Sequence, residues 1–176
     1  FGDKFPNFFG WVVPESDKVA RVGLAVLKRP RKYFDRFMKE FGKKNIIEQQ
    51  GGLIPIFDSN IRFNYKNIYL LGDAAGWVKA TTGGGIVPAF REVHNLVDCL
   101  VEGRKYKPGM ANLKLHLLIR KVLNKFNDSD YDKLFEILEK HKGLLEKYSR
   151  EKPFKLMWKL LLNEPKLIWF GMKVFT

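Results

Sequence analysis

The chain has 176 residues, 45% hydrophobic and 29% charged, enough for one domain with a core of its own. Its one cysteine, Cys99, excludes an intramolecular disulfide framework and any multi-cysteine metal site. The net charge of +13 is uneven: residues 104–176 hold 17 Lys and Arg against 8 Asp and Glu, which leaves an anionic membrane surface, a nucleic acid or an acidic partner open to that part.

No run of about 18 uninterrupted apolar residues occurs, so no spanning helix is expected. The start, FGDKFPNFFGWVVP, has no basic stretch followed by an apolar one, so no secretory signal is read there and a cytoplasmic protein is expected. The 15 Phe suit either a lined apolar cavity or an aromatic-rich core.

Phe8 to Val13 is an aromatic and β-branched run, and Pro14 to Asp17 reads as a turn. Val19 to Val26 alternates apolar with small or polar residues and reads as the returning strand of a hairpin. Phe9 and Trp11 lie two apart, so on a strand they share a face. That face could be a sheet core or a flat aromatic surface for an apolar ligand. After Pro30, Tyr33, Phe34, Phe37, Met38 and Phe41 recur at helical spacing, and Gly42 ends the pattern. Gly51-Gly52 leads into an apolar Leu53-Ile54-Pro55-Ile56, and Lys66-Asn67 turns the chain into a strand at 68–71 that reads as buried.

Residues 68–86, IYLLGDAAGWVKATTGGGI, organise what surrounds them. An apolar strand ends on Gly72-Asp73, and Gly83, Gly84 and Gly85 open a helix. Glycines let a ligand approach the backbone, and a helix start presents free N–H groups and a positive dipole end. Asp73 is acceptor-only when ionised and suits a ligand hydroxyl. Taken singly, each of these residues also suits a capped turn.

Past Gly85, the residues Ile86, Ala89, Phe90, Val93, Val97, Leu100 and Val101 mark one face of a helix ending near Gly103. Cys99 falls inside this pattern as a buried, inert thiol. His94, His116 and His141 read as packing or surface residues rather than metal ligands. Residues 108–176 are helical in pattern, with breaks at Asn127–Asp130, before Pro153 and at Asn163–Pro165. The last segment, Leu167 to Phe175, mixes Lys with Trp, Phe and Leu. It suits an interfacial helix or a helix docked on the protein body.

GDAAG…TTGGGI resembles the second flavin-binding motif of the FAD-dependent oxidoreductases related to p-hydroxybenzoate hydroxylase, and its Thr-Gly-Gly-Gly-Ile form is most similar to the geranylgeranyl reductases. PNFFGWVVP is similar to that family's P-x-x-Y-x-W-x-F-P signature. Pro6, Trp11 and Pro14 match, Phe9 stands for the family's Tyr, and Val13 for its Phe. Ala80 stands where the family usually has proline.

The resemblance implies FAD as cofactor, with Gly72, Asp73, Ala80, Gly83, Gly84, Gly85 and Ile86 around it. Asp73 would bond the ribityl or sugar-phosphate part, and the Gly83–Ile86 backbone would face the pyrimidine edge of the flavin. It implies a prenyl lipid substrate against Phe9, Trp11 and Pro14, with NAD(P)H or ferredoxin as electron donor. It singles out no catalytic residue and no metal.

The fold class it implies is α+β or α/β, as the C-terminal portion of a p-hydroxybenzoate hydroxylase-like FAD-binding fold. Residues 1–65 would belong to the substrate-binding sheet domain, 66–103 to the C-terminal part of the FAD-binding domain, and 104–176 to a helical C-terminal region. No G-x-G-x-x-G follows a strand here, so a fragment lacking the dinucleotide half, and inactive alone, is expected. The function implied is reduction of isoprenoid double bonds in membrane lipid synthesis, peripheral to a membrane that the basic C-terminal helices could meet. The alternatives are another flavin monooxygenase or dehydrogenase, or a non-catalytic basic module binding membrane or nucleic acid. No nucleic-acid motif is visible, so none is expected as partner.

Overall fold

A computed structural model describes residues 1–148 and 152–173. It is a mixed helix–strand protein with few strands. The chain forms two compact units, one built from Phe1–Gly51, Val122–Gly143 and the segment from Lys166, the other from Gly52–Lys121 and Leu144–Pro165.

In the first unit, β1 (Phe9–Pro14) and β2 (Ala20–Ala25) pair antiparallel from Phe9↔Ala25 to Pro14↔Ala20. The expected hairpin is present. The Ser16 hydroxyl closes its turn by accepting from the Lys18 and Val19 amides. Glycine is required at two points by close approach. A Cβ on Gly23 would meet the Trp11 ring at 2.4 Å, and one on Gly10 the Phe5 ring at 2.5 Å. Phe5 is buried and meets Phe37 edge-on at 4.8 Å, which ties α1 (Pro30–Met38) to the strands. A single 3-10 turn follows α1, and Gly42 leaves it at φ 66°, as its position in the sequence suggests.

In the same unit, α4 (Asp128–Lys140) starts at a reciprocal cap. The Asn127 side chain accepts from the Asp130 amide, and the Asp130 carboxylate accepts from the Asn127 amide. Asp130 also pairs with Lys173, just past α7 (Leu167–Met172). Phe126 packs on Phe170 at 4.8 Å and on Tyr131 at 5.3 Å. Val174 and Phe175 of the last apolar segment lie outside the described residues.

The second unit has two apolar clusters. One joins Phe57, Phe63, Ala75, Trp77 and Leu113, and the other joins Leu96, Cys99 and Tyr106, with Tyr69 and Leu71 packed on it. Its helices are α2 (Ile86–Val101), α3 (Ala111–Leu123), α5 (Lys142–Lys147) and α6 (Pro153–Asn163), with α3 and α5 each reaching beyond the unit at one end.

Three features here differ from the sequence reading. The strand at 68–71 shortens to β4 (Ile68–Tyr69), paired among the described residues only with β3 (Asn64–Tyr65), and Ile68 is 63% exposed rather than buried. With one antiparallel partner, such a strand has no neighbour to cover its other edge. Leu53 to Ile56 forms no regular element, and Leu53 is fully exposed. The apolar stripe of α2 faces solvent. Ile86, Phe90, Val93, Val97, Leu100 and Val101 are exposed, while Pro88, Glu92, Leu96 and Cys99 are buried.

Candidate functional site

The site grows from one anchor. Trp77 is buried between Phe57, Phe63 and Leu113, and its backbone amide donates to the Gly72 carbonyl at 2.9 Å. Gly72 to Ala75 therefore folds as a 3-10 turn, left through Gly76 at φ 64° in the left-handed region that favours glycine. The turn leaves Asp73 exposed on its outer side.

The chain then makes a small loop closed at its base. The Lys79 amide donates to the Gly84 carbonyl at 3.1 Å, and the Gly83 amide donates to the Lys79 carbonyl at 2.9 Å. Gly83 sits at φ 71°. Gly85 is the N-cap of α2, and no side chain caps it. The first turn of α2 contains no acidic residue, so its positive dipole end is not offset from within the helix.

The loop returns the helix start to the 3-10 turn. A Cβ placed on Gly85 would lie 3.1 Å from Asp73 Oδ1 and 3.3 Å from Val78 Cγ2. Asp73, Lys79, the three glycines, Ile86 and Val87 line an open depression of about 380 Å³, together with Ile54 and Val78. Of the expected cofactor residues, Asp73, Gly83, Gly84, Gly85 and Ile86 thus come together. Gly72 shapes the turn from behind at φ 57°, and Ala80 is buried away from this wall.

The expected substrate residues lie in the hairpin of the first unit. Phe9 and Trp11 share a face, their rings 5.7 Å apart and edge-on. Trp11 is 37% exposed. Pro14 ends the strand three residues from Trp11, an odd spacing that places it on the other face.

Sequence reading missed a buried polar cluster beside the loop. Glu92 is 3% exposed and accepts from Asn95 Nδ2 at 2.6 Å and from the Gly109 amide at 3.2 Å. His116 is buried, and its Nδ1 lies 2.7 Å from the Thr81 hydroxyl, at the tip of the glycine loop. A cavity of about 20 Å³, enough for one water, is bordered by Trp77, Glu92, Asn112 and His116. The indole Nε1 of Trp77 is buried with no partner among the described residues. Burial, reinforced by the neighbouring Glu92 carboxylate, pushes the Tyr106 phenol well above its usual range. One signal was available: Pro88, Glu92, Leu96 and Cys99 recur at three and four, the spacing of a buried face. Among the described residues no cluster of three or more His, Cys, Asp or Glu could hold a metal ion.

In this mixed helix–strand protein, a carboxylate thus stands at the mouth of a glycine loop that feeds a helix with no side-chain cap. Comparison with known proteins gives it relatives. No protein-family model matches the chain, and no solved structure matches it. Curated proteins do. The chain is 31% identical over 170 residues to digeranylgeranylglycerophospholipid reductase 2 of Methanothermobacter thermautotrophicus, covering 79% of this chain and 42% of that protein. It is 28% identical over 151 residues to the digeranylgeranylglycerophospholipid reductase of Methanocella arvoryzae, covering 79% and 38%. It is 34% identical over 140 residues to the geranylgeranyl diphosphate reductase of Rhodobacter capsulatus, covering 72% and 35%. These relatives, similar over most of this chain, support a geranylgeranyl reductase family. The chain spans less than half their length.

Proposed function

We propose that this chain is the C-terminal portion of an FAD-dependent reductase that saturates isoprenoid double bonds of membrane lipids. The observation that carries the reading is the approach of Asp73 to Gly85 across the mouth of the glycine loop. A side chain at Gly85 would fill that gap, so the backbone there is open to a flat or extended ligand. The names of the relatives, all reductases of geranylgeranyl compounds, point the same way.

In this reading Asp73 accepts hydrogen bonds from ribityl or sugar hydroxyls of FAD. The α2 start, with the backbone of Gly83 to Ile86, holds negative charge at the pyrimidine edge of the ring. FAD held there and reduced by NAD(P)H or ferredoxin would supply hydride to one carbon of an isolated alkene, while the other carbon takes a proton. Phe9 and Trp11 offer the prenyl chain a flat aromatic face that makes dispersion contacts and asks for no hydrogen bond. The basic C-terminal helices meet an anionic membrane surface.

The reading assigns residues 1–65 to a substrate-binding sheet domain, 66–103 to the FAD-binding domain and 104–176 to a helical region. The exposed stripe of α2 and the open edge of β4 fit a chain whose relatives are more than twice as long. The rest of an FAD-binding sheet would cover both.

Reduction of a geranylgeranyl lipid by the intact protein is the test. Purified intact protein is expected to carry FAD and to add hydrogen across the prenyl double bonds. The 176-residue chain alone is expected to bind FAD weakly and to turn over nothing. An intact protein free of flavin, or one that hydroxylates a substrate with NADPH instead, defeats the reading.

A further inference from the structure

Two helices of the second unit leave apolar faces uncovered, and the charges beside them differ. On α2 the exposed stripe is flanked by Arg91 and Asp98, one charge of each sign. Mixed flanks of that kind suit a protein cover.

On α6 the exposed apolar residues are Phe154 at 48%, Trp158 at 63% and Leu162 at 58%. Their spacing of four sets them within about 80° of one another around the helix. Pro153 and Leu160, on the opposite side, are the residues α6 buries. Lys155 and Lys159 border the stripe, and residues 152–163 include no Asp or Glu.

A helix apolar on nearly every side is covered by something. With cations as its only charges, the cover that matches is anionic. No helix among the described residues is long and apolar enough to cross a membrane. The 11 residues of α6 span only about 16 Å, so the helix can lie in an interface but not traverse a bilayer. Tryptophan beside lysine is the composition such a surface helix needs, the indole at the headgroup level and the ammonium groups toward phosphate.

We infer that α6 docks the protein on an anionic phospholipid bilayer. The Phe154–Trp158–Leu162 stripe enters the headgroup boundary, and Lys155 and Lys159 engage lipid phosphates. This names the surface for the membrane partner proposed above, but it requires neither flavin nor prenyl substrate.

Co-sedimentation of the intact protein with phosphatidylglycerol vesicles, against pure phosphatidylcholine vesicles, tests it. Binding is expected to the anionic vesicles only, with Trp158 emission shifted to the blue and that shift absent in Trp158→Phe. Phe154→Ser, Trp158→Ser and Leu162→Ser together should abolish binding. The doubly substituted Lys155→Gln, Lys159→Gln protein keeps the apolar stripe and should bind roughly tenfold or more weakly. Far-UV circular dichroism reports whether each variant is folded. Should the triple variant unfold, the lysine pair decides alone.

Equal binding by the lysine variant, or no binding of the parent protein to anionic vesicles, overturns the inference. So does a change of mass in solution on substituting the stripe, which would make α6 a protein interface. Vesicle binding by a flavin-free intact protein would leave this inference standing and remove the reductase reading.

Discussion

Asp73 Oδ1 and Gly85 face each other so closely that a methyl group at Gly85 would stand 3.1 Å from that oxygen. The contact joins the two halves of the candidate site, the turn after β4 and the start of α2. Gly85→Ala should disturb it without backbone strain, because φ there is −107°. We expect FAD affinity of the intact protein to fall about tenfold or more, at a stability cost of about 1 kcal/mol or less. Asp73→Asn keeps the shape and removes the charge, and should also weaken binding. Flavin fluorescence titration measures both, and unchanged dissociation constants would detach this turn from the cofactor.

Thr81 and His116 form a second link, from the tip of the glycine loop to α3. Thr81→Val and His116→Phe are each expected to cost about 1–3 kcal/mol, since each removes one side of a part-buried hydrogen bond. The double variant should cost less than the two together, with a coupling of about 0.5–1.5 kcal/mol. Urea unfolding of the four proteins gives the cycle. Strict additivity would show that the hydrogen bond holds nothing in place.

Acid should find the start of α4. Burial alone would raise the Asp130 carboxyl, but the Lys173 ammonium and the Asn127 amide outweigh it and hold the group below the usual carboxylate range. The folded protein therefore binds the proton less readily than the unfolded chain. The resulting stabilisation is present above the unfolded value of about 3.9 and is lost as pH falls through the lower folded value. Asp130→Asn should be less stable than the parent by about 1–2 kcal/mol at neutral pH. The gap should close in strongly acid solution. Denaturation midpoints measured at pH 7 and near pH 2 check the sign.

Cys99 is 2% exposed, between Leu96 and Tyr106. It should react with a thiol reagent such as DTNB only as fast as the protein opens, and at once in urea. Rapid reaction of the folded protein would mean that this cluster is not closed.

Much was legible because it is local. The hairpin over 9–25, the helix from Pro30, the Asn127 cap and the helix that opens after three glycines all follow from turn chemistry and from spacing along a few residues. That Asp73 and the glycine loop meet was implied by the family resemblance, and Trp77 supplies the anchor that brings it about.

Which faces are inside was not local. The stripe of α2 is apolar by sequence, yet the helix buries Glu92 with Pro88, Leu96 and Cys99, because Asn95 and the Gly109 amide satisfy the carboxylate there. The run at 68–71 is apolar enough for a buried strand, but a strand is buried only by its neighbours, and here it has one. Composition and spacing determine what a segment is able to bury. Which partner arrives to cover it is decided by contacts between residues far apart in the chain, and those exist only in the folded structure.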